Sequence, residues 1–171
     1  MRVKIFLDTI SLVSITINSS LIVMGDKMDK SQILKIIELG ESQEVEFKES
    51  FQSAQEFSKV MCGFANTYGG VLLVGVTSKK EVVGVAEDVD GLQQKIAAAA
   101  QAVSPPLIPS VEVHGFGSKK IVAIIVQKAA DGIFHTFQGV ILVKIGSTLK
   151  KMEGNQIVDF LRAKQLLCFD E

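Results

Sequence analysis

Cysteine is scarce: Cys62 and Cys168 are the only two in 171 residues, and they lie more than a hundred positions apart. That excludes a disulfide framework and a zinc-ligand spacing, and it points to a reducing, cytoplasmic setting. Cys62 sits within a helical apolar pattern and reads as buried filling. Histidine is equally rare. His114 and His135 stand alone, with no cysteine or paired acid at ligand spacing, so a core or surface role is expected of each. Ser147 has no neighbouring base to activate it. No Walker-type lysine motif occurs, nor any internal repeat. An uninterrupted apolar run long enough to span a bilayer is also missing. Met1 to Met24 is the nearest approach, but Asp8, Asn18, Ser19 and Ser20 break it, and it lacks the small-residue cleavage site of a signal peptide. Residues 1–28 therefore read as an extension or an early start codon, and 29–171 as one domain. A membrane association is not expected.

The chain is 47% hydrophobic and 22% charged, an ordinary globular balance. Its net charge of −1 conceals a segregation. Between Glu38 and Glu56 six acids face one base, Lys48. Between Lys119 and Lys151 six bases face one acid, Asp131. Such a chain can present a positive surface while remaining nearly neutral overall, although solvated strand and turn faces would give the same pattern.

Asp29 is placed to cap a helix whose Ile33, Leu34 and Ile37 share a face, with Gly40 ending it. Glu44 to Lys48 alternates strictly, as a half-buried strand with Val45 and Phe47 inward and Glu44, Glu46 and Lys48 outward. Gln52 to Thr67 is helical in spacing, with Ala54, Phe57, Met61, Phe64 and Ala65 on one stripe, and Tyr68-Gly69-Gly70 breaks it. Val71 to Val76 is a continuous apolar strand, with Val82 to Val85 expected to return beside it as a hairpin. Leu92, Ile96, Ala99 and Val103 mark another helix, stopped by Ser104-Pro105-Pro106. Val111–Phe116, Ile121–Val126 and Val140–Ile145 read as strands, the first two joined through Gly117-Ser118-Lys119. Asn155 is placed to cap a last helix burying Ile157, Phe160 and Leu161. The order implies an α+β (mixed α/β) fold: a mixed sheet with helices packed on it, parallel pairing at the crossover and an antiparallel meander late in the chain.

Glu44–Ser50 (EVEFKES), Gly63–Gly75 (GFANTYGGVLLVG) and Glu81–Val85 (EVVGV), in that order and spacing, resemble the Schlafen-type Alba-like domain. The resemblance continues through Ser104-Pro105-Pro106 and Val143–Thr148 (VKIGST), covering roughly residues 31–165. It implies an Alba-like two-layer domain of the kind that precedes ATPase-like or winged-helix segments in transcriptional regulators. Members are described as DNA-binding or ATP-binding, and eukaryotic Schlafens include RNA-cleaving enzymes. Alba-like domains often pair, so a homodimer is conceivable.

Three chemistries follow. Gly69-Gly70 could cradle a phosphate, but the order helix, glycines, strand is opposite to that of phosphate loops, which use a helix N-terminus. A turn requirement explains the pair better. The Schlafen nucleases hold a metal with two glutamates five positions apart and a third acid on a later strand. Glu41 and Glu46 match that first pair, while Val74–Lys80 offers Thr77, Ser78 and two lysines where the third acid would stand. Magnesium or manganese would be required only for this endoribonuclease alternative. The basic arm remains: Lys119, Lys120, Lys144, Lys150 and Lys151 as contacts to the phosphates of DNA or RNA. The resemblance places arginine where Lys144 stands. Arginine, which reads guanine bidentately, occurs only at Arg2 and Arg162, so contact should be to backbone and weakly selective. Phe116, Phe134 and Phe137 could stack bases, though core packing is the more economical role.

Overall fold

A computed structural model describes residues 27–166. Helix α1 (Lys30–Leu39) opens on a capping box: the Asp29 carboxylate accepts the Gln32 N–H while the Gln32 side chain accepts the Asp29 N–H. Ile33, Ile36 and Ile37 form its buried face. Leu34, expected inward, is exposed, because Ile36 takes its place against the sheet. Met28, assigned by sequence to the extension, is buried in the same cluster, and its N–H donates to Glu112 at 3.0 Å. The remainder of that extension lies outside the described residues.

Strand β1 (Val45–Lys48), helix α2 (Ala54–Asn66) and strand β2 (Gly70–Val74) form a parallel crossover unit, with Val45 opposite Val71 and Lys48 opposite Val74. The Ser53 hydroxyl accepts the Glu56 N–H and caps α2. Ala54 is exposed at the first turn, whereas Phe57, Met61, Phe64 and Ala65 are fully buried. Gly69 and Gly70 reverse the chain from α2 into β2. Gly69 has φ +79°, and a Cβ on Gly70 would lie 2.5 Å from the Phe64 ring and 2.7 Å from the Glu44 carbonyl. The pair therefore serves the turn.

Helix α3 (Val89–Gln101), capped by Asp88, packs on α2, and a short β3 (Val103–Ser104) follows. Strands β4 (Ser110–Phe116) and β5 (Lys119–Val126) form an antiparallel hairpin that completes a four-stranded sheet in the order β1-β2-β5-β4. The partner of β2 is β5, with Gly70 opposite Val126 and Val74 opposite Val122. Val82–Val85 returns beside only the end of the expected Val71–Val76 run, through the Val76–Val82 bridge and the Val83 and Gly84 N–H groups donating to the Gly75 carbonyl, while Val85 donates to the Lys120 carbonyl. Strand β6 (Thr136–Phe137) pairs with β3, and β7 (Leu142–Ile145) pairs with β8 (Thr148–Lys151), which sequence spacing did not indicate. Helix α4 (Asn155–Ala163) starts from Gly154 with no side-chain cap. Asn155 is its first helical residue and not its cap.

The central strands are buried on both faces, which is why they read as unbroken apolar runs. On β2 and β5, Leu72, Val74, Val122 and Ile124 face α2 and α3, while Val71, Leu73, Ile121 and Ala123 face α1. The α+β class holds. The expected two layers become three where α1 covers the second face of the sheet. No helix among the described residues is long and apolar enough to cross a membrane.

Candidate functional site

Alternation along β1 turns Phe47 toward α1 and leaves Glu46 and Lys48 on the α2 side. Against that side lies the β7–β8 hairpin, closely docked on α2: a Cβ on Gly63 would fall 2.3 Å from the Leu149 side chain. The Lys144 N–H donates to Thr67 Oγ1 at 3.0 Å, and Gln43 Nε2 donates to the Lys144 carbonyl at 2.9 Å. This seating points the Lys144 side chain inward. It is 1% exposed, 2.5 Å from the Glu46 carboxylate and 5.0 Å above the Phe64 ring. Lys144 thus departs from the expected phosphate-contacting face, because it is the inward residue of its strand and neutralises a carboxylate 98 positions away.

Lys48 extends the network, lying 3.2 Å from Glu46 and 2.8 Å from Glu56. Burial pushes the Lys48 ammonium down, but the Glu56 and Glu46 carboxylates more than offset this and hold it above the ordinary lysine value. A polar cavity of about 400 Å³ opens beside these groups, with Lys59 and Leu149 in its wall.

The Glu41/Glu46 pair does not fit a divalent metal. Both Glu46 oxygens face ammonium groups, and a Glu41 oxygen accepts the Phe47 N–H at 3.0 Å. Thr77, near the position of the family's third acid, binds its own turn through the Lys79 and Glu81 N–H groups. Among the described residues no group of three or more His, Cys, Asp or Glu side chains is placed to hold a metal.

The other four lysines are exposed. Lys119 and Lys120 open β5 opposite Phe116 and Gly115, so they belong to the strand and not to its turn. Lys119 Nζ donates to the Val82 carbonyl at 2.7 Å. Lys150 and Lys151 lie on β8 opposite Val143 and Leu142, and Lys151 makes an exposed pair with Glu153 at 3.2 Å. Neighbours on a strand face opposite sides, so each pair offers one ammonium to a given face. Within the acidic segment, Glu41 is engaged with the Phe47 N–H, Glu46 with Lys48 and Lys144, and Glu56 with Lys48.

His114 and His135 are buried, bonded to Glu112 at 3.0 Å and to the Pro105 carbonyl at 2.8 Å. Phe116 packs on the α1-side core, Phe137 on the α2-side core, and Phe134 edge-on to Phe160 at 6.3 Å. All three are core aromatics. Among the described residues the exposed aromatic is Tyr68, which sequence reasoning treated only as a helix breaker. It borders a second cleft of about 360 Å³ between the end of α2, β7 and α4, which Lys128, Asp131 and Lys164 also line. Burial, reinforced by repulsion from Lys128 and partly offset by Asp131, holds the Lys164 ammonium below the ordinary lysine value.

This arrangement of β1, the glycine reversal, the β4–β5 hairpin and the β7–β8 hairpin corresponds to a known sequence family, Schlafen, AlbA_2, which matches residues 41–153. The chain belongs to the Schlafen, AlbA_2 family. The matched span runs from just before β1 to just after β8, leaving α1 and α4 outside it. Several solved structures share the fold, two of which serve for comparison. One is the DIP2311 protein from Corynebacterium diphtheriae, with TM-score 0.54 and 19% identity over 91% of this chain and 28% of that one. The other is the N-terminal domain of an ATP-dependent DNA helicase RecG-related protein from Nitrosomonas europaea, with TM-score 0.52 and 22% identity over 71% of this chain and 92% of that domain. This AlbA_2 chain therefore spans well under a third of the DIP2311 protein. No curated protein matches it.

Proposed function

We propose that this AlbA_2 domain binds nucleic acid through the phosphate backbone, as a module of a transcriptional-regulator type of protein. One lysine of the Lys119/Lys120 pair and one of the Lys150/Lys151 pair make the contacts on a given face, while Lys144 and Glu46 hold the β7–β8 hairpin that carries the second pair. The observation that carries this reading is the division of charge. Glu46 and Glu56 beside β1 are taken up by Lys48 and Lys144, while the lysines of β5 and β8 are exposed. A polyanion then meets exposed ammonium groups, of which Lys151 alone shares its charge with a neighbouring carboxylate, Glu153, among the described residues. Family membership and a fold shared with a domain of a DNA-helicase-related protein lend further support.

The test is fluorescence anisotropy with a labelled 20-base-pair duplex at low salt, comparing the wild-type chain with a Lys119→Ala/Lys120→Ala/Lys150→Ala/Lys151→Ala variant. Binding by the wild type and a loss of roughly tenfold or more in the variant is the expected result. Equal affinity in both would remove these lysines from the interface.

A further inference from the structure

The cleft beside Tyr68 contains groups that the fold leaves unused. Tyr68 is 62% exposed at the C-terminal end of α2, so its ring is available to a ligand instead of a core. Lys164 is the converse case. It is only 8% exposed, yet among the described residues its ammonium has no carboxylate within ion-pair distance and makes only a long 3.5 Å hydrogen bond to the Ala129 carbonyl. A buried cation is costly unless an anion accompanies it. Exposed Lys128 adds a second positive charge, and Asp131 is the single acid in the wall.

The remaining polar wall is already satisfied and therefore fixed in place. The Asn66 amide donates to the His135 and Leu142 carbonyls, each at 2.8 Å. Thr67 Oγ1 donates to the Gly63 carbonyl and accepts the Lys144 N–H, while Lys144 itself is neutralised by Glu46. Two cations, one aromatic face and the single Asp131 carboxylate are left to meet a ligand, so positive charge outnumbers negative in the cleft. The volume of about 360 Å³ falls in the range of small-ligand pockets. The cleft also depends on Phe160, Ala163 and Lys164, which lie beyond the span matched by the family.

We propose that this cleft seats one unpaired nucleotide of a single strand, its base against Tyr68 and its phosphate between Lys128 and Lys164. The proposal deepens the nucleic-acid reading and rests on it. It specifies a form of nucleic acid, because an aromatic face can stack on a base only where that base has left its duplex partner. Duplex and strand then use different residues: the β5 and β8 lysines for either, and the cleft for the strand alone.

Intrinsic fluorescence tests this directly, since the chain has one tyrosine and no tryptophan. Adding a twelve-residue oligothymidylate should quench Tyr68 emission. In anisotropy, Tyr68→Ala should weaken oligothymidylate binding roughly tenfold without changing duplex affinity, and Tyr68→Phe should restore it. Lys164→Met relieves a buried charge, so it should weaken strand binding while leaving the urea midpoint equal or higher. A residue with a merely structural role would lower the midpoint and leave affinity alone. Free thymidine monophosphate should bind far more weakly than the strand; equal affinity would overturn the strand assignment. Wild-type protein that binds the oligothymidylate, with Tyr68→Ala and Lys164→Met binding equally well, overturns the cleft and leaves the nucleic-acid reading standing. Wild-type protein that binds neither form defeats both.

Discussion

Replacing Glu46 with glutamine removes the one carboxylate within ion-pair distance of Lys144 among the described residues. Lys144, at 1% exposure, would keep neutral acceptors, the glutamine amide oxygen and the Val45 carbonyl at 3.5 Å, and the face of Phe64, but no counter-charge. Stranding a buried charge costs about 3–5 kcal/mol, and the Phe64 ring places the expected loss at the lower end, about 3 kcal/mol. Lys144→Met is the asymmetric counterpart. It removes the buried charge together with its need for a partner, and Glu46, 14% exposed, retains Lys48 at 3.2 Å. That change should cost about 1 kcal/mol. For a domain of this size the two losses correspond to about 10 °C and about 3 °C in Tm. Because tryptophan is absent and the single tyrosine is exposed, the assay is urea and thermal unfolding followed by far-ultraviolet circular dichroism. The double variant should be no less stable than Glu46→Gln alone, since the second change removes the stranded charge. Equal costs, or a larger cost for Lys144→Met, would refute the view that the pair is held by desolvation of the lysine.

Other outcomes can be checked on the same material. Burial pushes the Cys62 thiol up to about 11, so in a Cys168→Ser background it should resist a thiol reagent at pH 8 until urea opens the domain. Rapid reaction in the native state would place Cys62 outside the core. Gly70→Ala would force a Cβ against the Phe64 ring and the Glu44 carbonyl, and should lower stability by about 1–3 kcal/mol in urea titration. The folded ammonium of Lys48 titrates above its unfolded value of 10.5. The stability it contributes is complete below that value and lost as pH rises through the higher folded one. Lys48→Met should therefore flatten the fall of the urea midpoint on the alkaline side of pH 10, and an unchanged profile would contradict the assignment.

Much of this architecture was legible because its periodicities are local. The Asp29 cap, the α2 and α3 stripes and the doubly buried β2 and β5 follow from residues a few positions apart. Pairing was not legible in the same way. The strand at Val71 accepts β5, some 50 residues onward, in preference to the nearby Val82–Val85, because apolar content marks a strand without naming its neighbour. β8 escaped notice because it is four residues long and mostly polar. Lys144 shows the limit most clearly. Its strand position was readable, but its burial depends on Glu46 across 98 residues. The Tyr68 cleft was hidden for the same reason: Tyr68, Lys128 and Lys164 meet only after α4 folds back. An aromatic at a helix end was the one local signal.

The salt dependence of duplex binding is the most direct measure of a lysine-to-phosphate interface. With one lysine from each exposed pair reaching a given duplex, about two phosphates are neutralised, so log K should fall against log salt with a slope near −2. Affinity should then drop roughly tenfold between 50 and 200 mM. The variant lacking Lys119, Lys120, Lys150 and Lys151 should show a slope close to zero. A wild-type protein with no measurable duplex binding at the lowest salt, or a variant that retains the full slope, would contradict it.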